Sequence, residues 1–327
     1  MRRWFALVAM SCVAGCGDSP EPGYAGPSFE LDPERISVSG ISAGAYMAGQ
    51  MHMAMSASIK GAGLIAGGPF YCAQNSLSNA LENCTKEGLP DIGKLQQALI
   101  GFAEADLIDD LANLEGSRVW LFRSPTDPLV REGLLRATAE QYLGLEAKVT
   151  IVADVEAAHG VPTLATGAAC EVFESPYLNA CDYDAAGQIL ATIHGDLEPR
   201  GEATGELRPV PVPGAADASL LPEALLYVPG ACAAGESCGL HVFFHGCSQS
   251  SELVGDAVAR GAGFNEWAET NRLLVLYPQV EGSKVAPMNP LGCFDWWGYT
   301  DERYATRDGL QIRAVAELMD ALAGRKP

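Results

Sequence analysis

Basic residues are scarce in this chain. Lys and Arg number 21 against 41 Asp and Glu, a formal net charge of −20 over 327 residues. With no basic patch to neutralise phosphates, nucleic acid is excluded as a partner. Histidine is scarcer still, with 5 in all. No Cys-x-x-Cys occurs and no His stands at ligand spacing, so no metal centre is expected. No internal repeat is present, and no apolar run is long enough to cross a bilayer as a mature helix. The length admits one large α/β domain or two smaller ones.

What is present begins with a targeting pattern. Met1-Arg2-Arg3 is a basic start, Trp4 to Val13 is a short apolar stretch, and Val13-Ala14-Gly15-Cys16 ends it. Small residues before a cysteine resemble the bacterial lipoprotein signal. Residues 1–15 are therefore expected to be a signal peptide and Cys16 the lipidated residue. Residues 16–34 are rich in Pro, Gly and acids and read as a flexible tether. The expectation is an exported protein held to a membrane only by its lipid, periplasmic or at the cell surface, and secreted if Cys16 is not lipidated.

Of 10 cysteines, Cys12 and Cys16 fall in that segment. The even remainder, in an exported chain, implies disulfides. The cysteines lie in neighbouring pairs, which suggests Cys72–Cys84, Cys170–Cys181, Cys232–Cys238 and Cys247–Cys293.

Residues 35–50, RISVSGISAGAYMAGQ, carry the densest chemistry. A β-branched run meets Gly40-Ile41-Ser42-Ala43-Gly44, and a helix-compatible run follows. Strand, sharp turn and helix with a serine at the apex is a nucleophile elbow. The turn lifts the hydroxyl above the sheet edge, and the helix N-terminus behind it favours developing negative charge. The rest of the chain then has to supply an acid, a base and an oxyanion hole.

Strand-like RVWLF (118–122) runs into Arg123-Ser124-Pro125-Thr126-Asp127. An acid in a Pro-rich turn after a strand suits a triad. Strand-like AKVTIVA (147–153) leads to Asp154, Glu156 and His159. His159, in a loop bounded by Gly and Pro, is the candidate base. Asp127 is preferred to Asp154 and Glu156 as the acid, because a separate loop reaches His Nδ1 from a different side than the serine does. Helices are expected over 45–59, 91–113, 131–144, 182–194 and about 307–323, with residues 70–90 a loop. His52 reads as a surface or packing residue and His194 as a helix end. Residues 196–222 read as a polar, Pro-rich surface connection. LHVFF (240–244) is a strongly apolar strand ending in His245-Gly246-Cys247, and LLVLY (273–277) is another.

The order of these parts is informative. In an α/β-hydrolase the strand ending in His-Gly precedes the elbow, then come acid and histidine. Here Ser42, Asp127 and His159 keep their order, but the His-Gly strand comes last. Moving residues 225–327 ahead of residue 35 restores the usual sequence. Residues 35–327 are therefore expected to form a single circularly permuted α/β-hydrolase domain, with a mostly parallel central sheet flanked by helices and stapled by disulfides.

The chain resembles the catalytic domain of extracellular short-chain polyhydroxyalkanoate depolymerases, in their circularly permuted group. The residues that carry the resemblance include VSGISAGAYMA (38–48), IAGGPFYCA (65–73), SPYLNACDYDAAG (175–187), HVFFHGCSQS (241–250), GFNEWAETN (263–271) and NPLGCFDWWGY (289–299). The resemblance implies Ser42 as nucleophile, Asp127 as acid and His159 as base, with oxyanion N–H groups from Ala43 and Cys247. It implies Trp296 as a substrate-binding aromatic, against the plainer reading of Trp296 and Trp297 as core. The implied reaction is ester hydrolysis of poly(3-hydroxybutyrate) or its oligomers through an acyl-enzyme, by a monomer without cofactors. Many members carry a separate polymer-binding domain after the catalytic one. None follows here up to Pro327, and the segment between Gln279 and Asn289 is short. Soluble oligomers or amorphous polymer are therefore the expected substrates. The alternatives are another secreted carboxylesterase, of feruloyl or acetyl-xylan type, and a non-catalytic surface-binding lipoprotein.

Overall fold

A computed structural model describes residues 24–85 and 88–325. The signal peptide expected over 1–15 and the lipidation site Cys16 lie outside the described residues. Eight strands build the main sheet: β1 (Leu31–Ile41), β2 (Gly61–Ile65), β3 (Arg118–Phe122), β4 (Lys148–Val152), β8 (Glu206–Pro211), β9 (Glu223–Val228), β10 (Cys238–Phe244) and β11 (Leu273–Tyr277). The order across it is β4-β3-β2-β1-β10-β11-β9-β8. Pairs from β4 to β11 are parallel, while β9 runs antiparallel to β11 and β8 antiparallel to β9. A small sheet of β5 (Val161–Thr163), β6 (Ala168–Ala169) and β7 (Leu178–Ala180) has the order β5-β7-β6.

The expected fold is present. The elbow strand β1 lies beside the His-Gly strand β10, with Ile36 opposite Leu240 and Gly40 opposite Phe244. The two parts of the chain thus share one sheet. All seven residues of β10 are buried, as a parallel strand covered on both faces requires. Leu240, Val242 and Phe244 join one apolar cluster, and Phe243 joins the other. Each face of the sheet therefore has its own core, set by the period of two along the strand.

Among the described residues five helices precede β8: α1 (Ala43–Ala54), α2 (Leu77–Asn83), α3 (Ile92–Glu104), α4 (Glu132–Leu143) and α5 (Ala185–His194). After β9 come α6 (Gly230–Ala233), α7 (Ser251–Val254), α8 (Ala257–Gly261), α9 (Phe264–Asn271) and α10 (Leu310–Leu322). Helix α1 has no acidic or basic residue but His52, and all of it is buried. A helix apolar all round belongs in the interior. His52 is a packing residue: Nδ1 lies 3.1 Å from Tyr142 Oη and Nε2 lies 2.8 Å from Ser117 Oγ. His194 is also drawn inward, with Nε2 2.9 Å from Ser37 Oγ.

Four expectations need correction. Residues 196–222 are not merely a surface connection, because residues 206–211 form the outermost strand β8. An edge strand needs donors on one side only, so Pro209 and Pro211 do not prevent pairing. Val210, Ala218 and Leu220 of the same segment enter the core. The tether expected over 16–34 overlaps β1, whose first residue Leu31 pairs with Cys238, and Phe29 N–H donates to Leu322 O at 2.7 Å. The loop expected over 70–90 contains α2, capped by Ser76 Oγ, which accepts from Asn79 N–H. The helix expected over 91–113 stops at Glu104, and a separate 3-10 turn spans Leu111–Leu114.

Among the described residues four disulfides are present, Cys72–Cys84, Cys170–Cys181, Cys232–Cys238 and Cys247–Cys293, the pairing expected from neighbouring cysteines.

Candidate active site

Strand β1 ends at Ile41 and α1 begins at Ala43, leaving Ser42 alone at the turn with φ 56° and ψ −121°. L residues rarely adopt this conformation, and holding one there costs about 1–3 kcal/mol. Both flanks pin it. Ser42 N–H donates to Ile65 O of β2 at 2.9 Å, and Ser42 O accepts from Ala45 N–H at 2.9 Å. The turn is also crowded. A Cβ at Gly40 would stand 2.2 Å from Gly44 O, and one at Gly44 would stand 2.0 Å from Phe244 O. Only glycine admits this approach of α1 to β1 and β10. Helix α1 directs the positive end of its dipole to Ser42.

Strand β3 leads to Asp127 and β4 to His159. His159 Nδ1 lies 2.8 Å from Asp127 Oδ2, and both side chains are buried. The other carboxylate oxygen accepts from Leu129 N–H at 2.8 Å and Val130 N–H at 3.1 Å. Burial pushes the Asp127 carboxyl upward, but His159 and these two donors outweigh it and hold the carboxyl below its ordinary value. Asp154 and Glu156, the alternative acids, are exposed. The turn bearing Asp127 is fastened to the loop bearing His159. Ser124 Oγ accepts from Ala157 N–H at 2.8 Å, and Thr126 Oγ1 donates to Ala157 O at 3.1 Å.

Ser42, Asp127 and His159 thus lie at the carboxyl edge of four neighbouring parallel strands, β1 to β4. Among the described residues no hydrogen bond joins Ser42 to His159. Such contacts are often loose before substrate binds and tighten in the complex.

Ala43 N–H and Cys247 N–H make no hydrogen bond to protein among the described residues. They flank the elbow: Ala43 follows Ser42, and a Cβ at Gly246 would lie 3.5 Å from Ser42 Cβ. His245 orients the Gly246–Cys247 peptide. Its Nδ1 lies 2.7 Å from Gly246 O, and its Nε2 accepts from Val280 N–H at 3.3 Å. Nδ1 therefore carries the proton. Burial lowers the pKa of His245 to about 4, against a smaller opposing effect of the Gly246 contact, so the ring stays neutral. Because a trans peptide opposes its C=O and N–H, fixing Gly246 O toward His245 turns Cys247 N–H away from that ring. The Cys247–Cys293 bridge holds the same loop.

Trp296 is placed in packing: it is 7 % exposed and stacks on Tyr46 of α1 with centroids 4.6 Å apart. Its loop is organised by Asp295, whose carboxylate accepts from the N–H groups of Trp297, Gly298, Tyr299 and Thr300 and from Thr300 Oγ1. Trp296 forms a wall beside the elbow helix. Ser124, His245 and Asp295 were not singled out by sequence reasoning for these contacts. All three adjoin motifs that were, one or a few residues from Asp127, Cys247 and Trp296. Among the described residues no group of three or more His, Cys, Asp or Glu side chains is placed to hold a metal ion.

No protein-family model matches the chain. A poly(3-hydroxybutyrate) depolymerase of Delftia acidovorans is 35 % identical over 335 residues, covering 97 % of this chain and 66 % of that protein. This chain therefore spans just under two thirds of that relative's length. A polyhydroxybutyrate depolymerase of Talaromyces funiculosus is 31 % identical over 331 residues, covering 95 % of this chain and 96 % of that one. Two solved structures are similar, each at 29 % identity over 91 % of this chain and 98 % of the other. One is a PHB depolymerase variant complexed with an R3HB trimer, at a TM-score of 0.84. The other is the PHB depolymerase from Penicillium funiculosum, at 0.83.

Proposed function

We propose that this chain, which belongs to the poly(3-hydroxybutyrate) depolymerase family, is a serine esterase that hydrolyses poly(3-hydroxybutyrate) or its oligomers. The observation that carries the reading is the buried His159–Asp127 contact of 2.8 Å, at the sheet edge where Ser42 occupies a strained elbow. Ser42 Oγ attacks the ester carbonyl while His159 Nε2 takes its proton. Asp127 holds the imidazole tautomer and stabilises the imidazolium. The N–H groups of Ala43 and Cys247 receive the charge of the tetrahedral oxygen, each worth about 3 kcal/mol in comparable sites. His159 returns the proton to the departing alkoxy oxygen, which leaves as an alcohol, and water, activated by the same base, attacks the acyl-enzyme and releases the acid. Trp296 supports the wall along which the substrate lies. The feruloyl or acetyl-xylan esterase reading and the non-catalytic reading are not favoured.

The protein works outside the cytoplasm. Four disulfides support an oxidising compartment, and the pattern ending in Cys16 supports a signal peptide and a lipid anchor. Among the described residues no helix is long and apolar enough to cross a membrane.

Ser42→Ala is the test. The variant is expected to fold, to lose labelling by a fluorophosphonate probe, and to lose hydrolysis of 3-hydroxybutyrate oligomers by about 10⁴-fold or more. Retained turnover would overturn the assignment. Wild-type activity on feruloyl or acetyl esters but not on these oligomers would overturn the substrate.

A further inference from the structure

Gln249 lies in the loop after β10, two residues beyond Cys247, and is 2 % exposed. Both ends of its amide are used. Oε1 accepts from Gly246 N–H at 2.7 Å. Nε2 donates to Pro176 O at 2.8 Å and to Tyr177 O at 3.4 Å. One planar group thus spans two pieces of chain that are remote in sequence.

Each piece bears on the reaction. Gly246 N–H begins the unit whose next peptide carries Cys247 N–H. The segment of Pro176 and Tyr177 backs the base: Tyr177 O also accepts from Val161 N–H at 2.9 Å, two residues after His159. From the same segment the Phe173 ring meets the His159 imidazole in a T-shaped contact, centroids 6.1 Å apart, and lies tilted against Tyr177 at 5.0 Å. The backbone around Gln249 is strained. Ser42, Ser248 and Tyr177 all have positive φ, at 56°, 63° and 59°. Strained residues persist only where their surroundings over-determine them, and Gln249 is bonded to one of them and adjacent to another.

We propose that Gln249 is a positioning residue that keeps the Cys247 oxyanion donor in register with the loop carrying His159. Gln249 touches no reacting atom. It fixes the distance between the group that receives the developing negative charge and the group that moves the proton. Its effect therefore falls on the transition state and not on ground-state binding. The inference rests on the roles proposed above for Ser42, His159 and Cys247.

The test compares Gln249→Met, which keeps length and loses every bond, with Gln249→Glu, which keeps the acceptor for Gly246 N–H and sets oxygen against the carbonyls of Pro176 and Tyr177. Each is assayed with wild type and Ser42→Ala on a soluble p-nitrophenyl ester, and with a trifluoromethyl ketone that forms a tetrahedral adduct. For Gln249→Met we expect a cooperative thermal transition, KM within about threefold of wild type, and kcat lower by about 10- to 100-fold. Ketone affinity should fall by the same factor as kcat/KM. Gln249→Glu should regain relative activity as the pH is lowered, since a protonated carboxyl can donate to Pro176 O. A folded Gln249→Met with kcat within threefold of wild type overturns the proposal. So does a loss in KM alone, or an unchanged ketone affinity. If Gln249→Met does not fold, Gln249→Glu decides by the same criteria, and failure of both to fold assigns Gln249 to the fold alone and overturns the proposal. Wild-type turnover lost in Ser42→Ala shows, independently, that the esterase reading stands whatever Gln249 does.

Discussion

Gly44 lies against Phe244: a Cβ on the glycine would stand 2.0 Å from the phenylalanine carbonyl oxygen and 2.4 Å from that of His245. This contact sets how closely the elbow helix approaches β10, the strand that leads into the loop of the proposed donor Cys247. Backbone cannot yield as a flexible side chain does. Gly44→Ala is expected to push α1 from β10, lower the melting temperature by several degrees and reduce kcat by at least about 100-fold. Differential scanning fluorimetry and ester hydrolysis measure the two effects. A variant as active as wild type would mean that the loop moves without cost.

Asp127→Asn separates charge from geometry. The side-chain oxygen that accepts from Leu129 and Val130 can be kept, which leaves NH2 facing His159 Nδ1. The imidazole must then carry its proton on Nε2, the wrong tautomer for accepting one from Ser42. Expected is a fall in kcat of about 10³–10⁴-fold with KM little changed. Steady-state kinetics on a soluble ester decide it, and a loss below tenfold would remove Asp127 from the role.

The Cys247–Cys293 bridge closes 46 residues. Loop-closure entropy puts its contribution at about 4 kcal/mol. Replacing both cysteines by serine should lower the melting temperature and, because Cys247 carries a proposed donor, reduce kcat more than removal of Cys232–Cys238 does. Equal losses in kcat from the two pairs would show that the bridge serves stability alone.

Four of the five histidines have their pKa lowered. Burial takes His52 to about 3 and His245 to about 4. Burial, reinforced by Arg35 and Arg118, takes His194 to about 4, and burial carries His241 well below its ordinary value. The folded chain favours the neutral rings, while the unfolded chain binds protons near 6.5. Stability from these groups is therefore fully present above that pH and is lost as pH falls from about 6.5 toward 4. The loss is about 1.4 kcal/mol per histidine for each pH unit in that window. Urea midpoints should drop sharply between pH 7 and pH 5, less so in His194→Gln. A midpoint that does not move would refute the burial argument.

The parts legible in the sequence were those in which chemistry is local. The elbow needs Gly-Ile-Ser-Ala-Gly in one turn, and the apolar run ending in His245-Gly246 marks the central strand beside it. Strand β8 was not legible, because ELRPVP reads as loop until the pairing of Leu207 with Tyr227 is known. The contacts of Gln249 and Asp295 were not legible either. Each polar side chain is satisfied by backbone from a fold contact, and neither residue type announces which contact. The burial of Trp296 against Tyr46 likewise depends on a distant loop folding back onto α1.

The pairing of β1 with β10 also dictates when the site can exist. Ser37 and His241, hydrogen-bonded across that pair, are 204 residues apart. A chain emerging from its amino terminus has Ser42, Asp127 and His159 early, with β2 to flank the elbow on one side only. The other flank stays an unpaired edge until β10 arrives, a non-local closure of the kind that slows folding. On the proposed roles, an unfinished chain carries Ser42 without the Cys247 donor, so hydrolytic power is acquired only once β10 has paired.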